Sequence, residues 1–81
     1  MSRIPIRIPG DDWGTAGVQL QLWLVEIGDE VQAGDALAEL SIPGIIGDLA
    51  APASGRVVEL QAASDRTWHA EDVVGWIEAN G

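Results

Sequence analysis

Hydrophobic and polar residues alternate along most of the chain with a period of two, which is typical of β-strands buried on one face. Residues 3–9 begin this pattern, and their prolines at positions 5 and 9 restrict the segment to the edge of a sheet. Residues 18–25 continue it, and the residues expected to point inward from the two segments are Ile4, Ile6, Ile8, Val18, Leu20, Leu22 and Leu24. Trp23 and Val25 join the opposite face of the second strand, where that face becomes partly buried.

Glycine-containing turns divide the next part of the chain. Gly28-Asp29 closes the second strand, and Gly34-Asp35 forms another turn six residues later. The residues between these turns predict a short extended link, in which Val31 points inward.

Residues 37–52 predict a β-hairpin, around which the rest of the chain is arranged. Two apolar-alternating segments, 36–40 and 45–50, flank its centre. Pro43 supplies the φ angle of the first central turn position, and Gly44 accepts the positive φ of the second. The tip of the hairpin is therefore predicted at Pro43-Gly44, and a further strand follows at 56–61.

An internal repeat decides the structure of the last third of the chain. Residues 70–79 fit an amphipathic helix, with an apolar stripe formed by Val73, Val74, Trp76 and Ile77. A shift of 36 positions, however, aligns two copies of one unit, placing Asp29 on Asp65, Gly34 on Ala70, Leu37 on Val73 and Leu40 on Trp76. The second copy is then turn, link, turn and strand like the first. The two halves, of about four strands each, are expected to form one sheet each, and the two sheets pack face to face in one all-β domain over residues 1–81.

Composition narrows the classes of partner. Thirteen acidic residues against four basic ones give a net charge of −9, which argues against binding the phosphate backbone of a nucleic acid. The acidity favours solubility and self-repulsion, or alternatively a basic partner surface. No apolar run reaches the length of a membrane span or a signal peptide, so we expect a cytoplasmic protein with no membrane partner. The basic residues are all arginines, and the sequence contains no lysine: Arg3, Arg7, Arg56 and Arg66.

The segment WLVEIGDEVQAGDALAEL, followed by a hairpin and then by APASGRVVEL, resembles the biotinyl/lipoyl carrier domain family. The resemblance runs from about Ile4 to Ala79, with the Val-x-x-Gly-Asp-x-Leu segment at 31–37 and Ala-Pro-x-x-Gly at 51–55 on either side of the hairpin. It implies a barrel-sandwich hybrid, a flattened β-barrel of two four-stranded antiparallel sheets related by a quasi-twofold axis. It also implies an Asp-Lys or Met-Lys pair at the hairpin tip, whose lysine holds lipoic acid or biotin.

Gly44 occupies the position of that lysine, counted back from Ala51-Pro52, and Pro43 precedes it. Neither cofactor can be attached by the usual route, since the ligase needs an ε-amino group. We therefore expect no cofactor.

Other chemistry in the sequence is sparse. His69 is the only histidine, and we interpret it as a surface turn residue and not as a metal ligand or an acid–base group. No recognisable motif provides a histidine partner for the serines, which argues against nucleophilic catalysis: Ser41, Ser54 and Ser64. The acidic pairs lack the spaced oxygen ligands of a calcium loop and are expected to be solvated turn residues: Asp11, Asp12, Asp29 and Glu30. We expect no enzyme activity and no metal site.

Two sets of apolar residues have alternative interpretations. Trp23 and Trp76 fit strand patterns and are expected in or beside the core, whereas Trp13 and Trp68 either cover an open end of the barrel or form exposed aromatics for a partner. The hairpin tip is the candidate partner-binding site, formed by Ile42, Pro43, Gly44, Ile45 and Ile46. Either alternate isoleucines point into the barrel and the Pro-Gly turn is merely rigid, or the tip is a stiff apolar point that docks on another protein at low entropic cost.

Three functional hypotheses follow. The favoured one is a non-catalytic domain that recruits or regulates, through protein contact, a 2-oxo acid dehydrogenase-like or biotin-dependent multienzyme complex. The second is an acyl or carboxyl carrier domain of such a system that works through a non-lysine residue, with Ser41 or Ser54 nearest, or through a non-covalently held cofactor. The third is a structural domain like the lipoyl-like modules of membrane-transport adaptors, which are usually inserted between helical hairpins that this chain does not contain.

Overall fold

The computed structural model describes residues 2–9, 17–42, 45–63 and 66–79, which contain eight β-strands. In chain order the strands are β1 (Ser2–Arg7), β2 (Val18–Trp23), β3 (Glu30–Val31), β4 (Ala36–Ile42), β5 (Ile45–Ala50), β6 (Gly55–Leu60), β7 (Thr67–Trp68) and β8 (Val73–Ala79). The segment that fits either a helix or a strand by its sequence forms β8, as the repeat predicts. No helix in the described part of the chain is long and apolar enough to cross a membrane.

The strands form two four-stranded sheets, and every neighbouring pair is antiparallel. The first sheet has the order β1-β8-β6-β3, and we call it the terminal sheet because it contains the first and last strands. The second has the order β5-β4-β2-β7, and we call it the hairpin sheet because it contains the β4–β5 hairpin. The predicted all-β fold with two four-stranded sheets is confirmed, and β1 lies at the edge that its prolines require.

The internal repeat is present, but its period is 37 and not the predicted 36. The bounds of β2, β3 and β4 each differ by 37 from those of β6, β7 and β8. A shift of 37 places fully buried Leu37 on fully buried Val74, whereas a shift of 36 places it on half-buried Val73. The predicted period was one residue wrong because apolar neighbours such as Val73 and Val74 make both alignments similar by composition.

The two halves of the repeat are not the two sheets. Each sheet takes two strands from each half, since β3 leaves the first half to pair with β6, and β7 leaves the second half to pair with β2. This exchange ties the halves together by backbone hydrogen bonds.

The inner faces of both sheets form one core. Its buried apolar residues are Ile6, Ile8, Val18, Leu20, Val31, Leu37, Ala38, Leu40, Leu49, Ala51, Val57, Trp68, Val74 and Ile77. Val31 points inward as predicted. Leu22 and Leu24 do not, and their side chains are 53% and 47% exposed.

A β-bulge causes the reversal at Leu22. The register between β2 and β4 shifts between Leu20 and Leu22, so one additional residue interrupts the alternation of inward and outward side chains. Beyond the bulge, Trp23 and Val25 pack against the core, as expected for these two residues.

Candidate functional site

The β4–β5 hairpin lies where the sequence predicts it. Its antiparallel register runs from Ala36↔Ala50 to Ile42↔Ile45, and β5 forms the edge of the hairpin sheet. The predicted tip residues Pro43 and Gly44, and the side chain of Ile42, lie outside the described part of the structure. The described strands therefore hold the two ends of the tip in a fixed register.

The isoleucines that follow the tip are exposed. The side chains of Ile45 and Ile46 are 60% and 74% exposed, so neither packs into the barrel. The alternative in which these isoleucines point inward is therefore wrong for both. The hairpin end presents apolar surface to the outside.

A row of uncharged residues crosses the outer face of the hairpin sheet beside this apolar surface. The register pairs Ile46 with Ser41, Ser41 with Gln19, and Gln19 with Thr67, so one side chain from each strand lies on the same face. Gly17 and three of these residues line a surface pocket of about 350 Å³: Gln19, Ser41 and Thr67. Sequence reasoning did not find this row, because it depends on strand pairings distant in the chain. The pairing of Gln19 with Thr67 is one of them.

Trp68 is not the exposed aromatic that one interpretation predicts. Its side chain is 3% exposed and belongs to the core, because the pairing of β7 with β2 sets Trp68 beside inward-pointing Val18. The guanidinium carbon of Arg66 lies 3.9 Å from the centroid of the Trp68 ring, which is cation–π geometry. Trp13 lies outside the described residues.

The remaining tryptophans occupy different layers. Trp23 packs against the core, as predicted, and its Nε1 donates a 2.7 Å hydrogen bond to the carbonyl oxygen of Gln61. Trp76 is half-buried and alternates with buried Gly75 and Ile77, which places it on the outer face of the terminal sheet and not in the core.

The polar candidates have structural roles. His69 is an exposed turn residue, and its backbone N–H donates to Asp72 Oδ2 at 2.9 Å. Ser54 Oγ accepts a 3.0 Å hydrogen bond from the backbone N–H of Ala33. Asp29 Oδ2 accepts one at 2.9 Å from the backbone N–H of Glu26. Among the described residues, no three His, Cys, Asp or Glu side chains are grouped to hold a metal ion.

The remaining polar candidates, Ser64, Asp11 and Asp12, lie outside the described residues.

The comparison with known families agrees with the fold. The model of the biotinyl/lipoyl domain family, described as biotin-requiring enzyme, matches residues 10–77, which is more than half of the chain. The match includes the hairpin and both of its flanking motifs. No curated protein matches the sequence. The extent of the family match, together with the two four-stranded sheets, shows that this chain belongs to the biotinyl/lipoyl carrier domain family.

Proposed function

We propose that this protein is a lipoyl-like domain that works without a covalent arm, as a protein-interaction module of a multienzyme system. Domains of the family serve as carriers in biotin-dependent or 2-oxo acid dehydrogenase systems and are not catalytic themselves. This chain has the fold of the carrier domain, but it has no lysine amine to hold the cofactor. The protein would then contribute by binding a component of such a complex, to assemble or regulate it.

The proposal rests on one observation: the chain has the fold of the carrier family, but its sequence contains no lysine. The family resemblance puts the attachment position at Gly44, between β4 and β5, and glycine has no side chain to modify. Exposed Ile45 and Ile46 support a role by contact, because apolar side chains on a paired strand lose little backbone entropy on binding. We also propose that the protein acts in the cytoplasm.

Mass spectrometry of the protein isolated from its native source tests the proposal. We expect to find every residue of the chain without a covalent adduct. A lipoyl, biotinyl or other acyl-carrying adduct on any residue would overturn the proposal.

A variant that introduces a lysine tests whether the attachment position lies at Gly44. The double variant Pro43→Asp/Gly44→Lys restores the residue pair that the family uses, and we expect lipoate ligase or biotin ligase to modify it. Ala62→Lys is the matched control, because it places a lysine at an exposed position away from the hairpin, where we expect no modification. A folded double variant that neither ligase modifies would contradict the placement of the attachment site at Gly44.

Ser41 supports a second candidate function, a carrier that uses a hydroxyl in place of an amine. Its side chain lines the surface pocket near the hairpin, beside Gln19 and Thr67. Incubation with a phosphopantetheinyl transferase, lipoate ligase or biotin ligase tests this alternative. A mass increase lost in Ser41→Ala would support it, and no mass increase with any of the three enzymes would exclude covalent loading by them.

A further inference from the structure

The outer faces of the two sheets are related by the repeat but carry different patterns of charge. On the terminal sheet, one row alternates in sign across all four strands: Arg3, Glu78, Arg56 and Glu30. Arg56 Nε lies 3.5 Å from Glu30 Oε1, so two neighbouring charges of this row form an ion pair within the domain. The equivalent row of the hairpin sheet is the uncharged row described above.

The next row of the hairpin sheet contains two carboxylates side by side. Glu39 pairs with Asp48 across β4 and β5, and Glu39 pairs with Leu22 on β2. Register partners share a face, and like charges directly opposite each other repel. Leu22 on β2 and Ile46 on β5 are exposed aliphatic residues on the same outer face.

The four strands of this sheet contain no basic residue. Arg3 and Arg7 lie on β1 and Arg56 on β6, all in the terminal sheet. Arg66, which precedes β7, stacks on the Trp68 ring. Glu39 and Asp48 lie on the outer face of this sheet, and its four strands supply no cation to pair with their carboxylates.

We propose that the outer face of the hairpin sheet binds a segment of a partner protein that carries lysine or arginine between aliphatic side chains. A cation opposite Glu39 and Asp48 would relieve their repulsion, while Leu22 and Ile46 would bury apolar surface on either side. This inference names the partner chemistry of the proposed interaction module and rests on that proposal. A second copy of the chain is a poor occupant, because its equivalent face would add two more carboxylates to the same contact.

Backbone amide chemical shifts of the full chain, recorded during titration with two short blocked peptides, test the proposal. One peptide alternates leucine and lysine, and the other alternates leucine and glutamate. We expect the lysine peptide to saturate, with shift changes concentrated on β2, β4 and β5, and the glutamate peptide to leave those strands unchanged.

Two matched double variants separate position from net charge. Glu39→Gln/Asp48→Asn removes two charges from the proposed face, and we expect the dissociation constant of the lysine peptide to rise roughly fivefold. Glu59→Gln/Glu71→Gln removes two exposed carboxylates elsewhere, and we expect a smaller change. We expect Ile46→Ser to weaken binding of the lysine peptide, because the proposal places an aliphatic contact there. We expect Ile27→Ser, which alters a similarly exposed isoleucine in the turn before β3, to leave binding unchanged.

Several results would overturn the inference. They are failure of the lysine peptide to bind, equal binding of both peptides, equal weakening by the two double variants, or shift changes centred on the terminal sheet. Concentration-dependent shifts of the same strands without peptide would instead assign the face to self-association. Failure of this inference can be told apart from failure of the proposed function. An adduct in the mass spectrum overturns the proposed function, whereas the peptide titrations show only what the unmodified chain binds and on which face.

Discussion

Gly55 is the last residue of the Ala-Pro-x-x-Gly motif. Three strands approach so closely there that the position has no room for a side chain. It pairs with Ala79 on β8 and with Val31 on β3. A Cβ at this position would overlap the carbonyl oxygen of Glu78 and lie 2.9 Å from Ala79 Cα, and neither backbone atom can rotate away.

We therefore expect Gly55→Ala to lower the free energy of unfolding by about 2–3 kcal/mol. Gly28→Ala is the control, because Gly28 has a φ of 101° but no atom within 4 Å of an added Cβ, so only backbone strain of about 1 kcal/mol applies. Urea unfolding followed by tryptophan fluorescence measures both. Equal losses would show that the strands separate easily at Gly55.

Glu71 occupies a backbone conformation that suits glycine. Its φ is 71°, and the residue 37 positions earlier is Gly34, with a φ of 92°. Both residues stand at the same place in the repeated turn, where Asp35 and Asp72 each donate a backbone hydrogen bond to the residue three positions before.

Because a left-handed conformation is costly for a residue with a Cβ, Glu71→Gly is expected to raise the free energy of unfolding by about 0.5 kcal/mol. The reciprocal change, Gly34→Ala, is expected to lower it by about 1 kcal/mol. Thermal unfolding at one protein concentration measures the two variants. A loss of stability in Glu71→Gly would mean that its side chain contributes more than the strain removes.

Aspartates close the turns between the strands. Asp35 Oδ2 accepts a 2.9 Å hydrogen bond from the backbone N–H of Gln32, and Asp72 Oδ2 accepts the equivalent bond from His69. Each carboxylate satisfies a donor that the strands leave unpaired.

We expect Asp35→Ala and Asp72→Ala each to destabilise the protein by about 1 kcal/mol, and the double variant to lose the sum, because the turns are independent. Denaturant titration of the three variants gives the values. Clear non-additivity would indicate that the two turns are coupled through the sheets.

Strand alternation predicts which elements form, but it does not predict their bulges. Gln21 and Leu37 are skipped in the pairing of their strands, as are the equivalent residues Val58 and Val74. A bulge requires one additional residue and no particular side chain, so the sequence predicted the inward face of β2 correctly only as far as Leu20. The location of the hairpin was predictable because Pro-Gly marks a turn locally.

The composition of each outer face was not predictable in this way. It depends on which strands are neighbours, and the exchange of β3 and β7 between the halves has no local signal. The pairing of Gln19 with Thr67 therefore had no signal in the sequence, whereas the pairing of Glu39 with Asp48 follows from the predicted turn at Pro43-Gly44.

At the scale of the whole molecule, charge is distributed unequally between two sheets of the same architecture. The terminal sheet carries three of the four arginines, interleaved with glutamates, whereas the hairpin sheet carries acidic residues alone. A domain with a net charge of −9 is already subject to self-repulsion. The adjacent carboxylates of the hairpin sheet add a local repulsion, which a bound cationic partner would remove.

Asp48→Asn isolates that local term. Since it removes one of two like charges directly opposite each other, we expect the free energy of unfolding to rise by a few tenths of a kcal/mol at low salt. The gain should disappear at about 1 M salt, where the Debye length falls to about 3 Å. Glu30→Gln is the opposite control, because it removes the carboxylate that pairs with Arg56, and we expect no gain or a slight loss. Urea unfolding of both variants at two salt concentrations makes the comparison. An equal gain in the two variants would assign the effect to net charge, whereas a salt-sensitive gain confined to Asp48→Asn would place the repulsion on the outer face of the hairpin sheet.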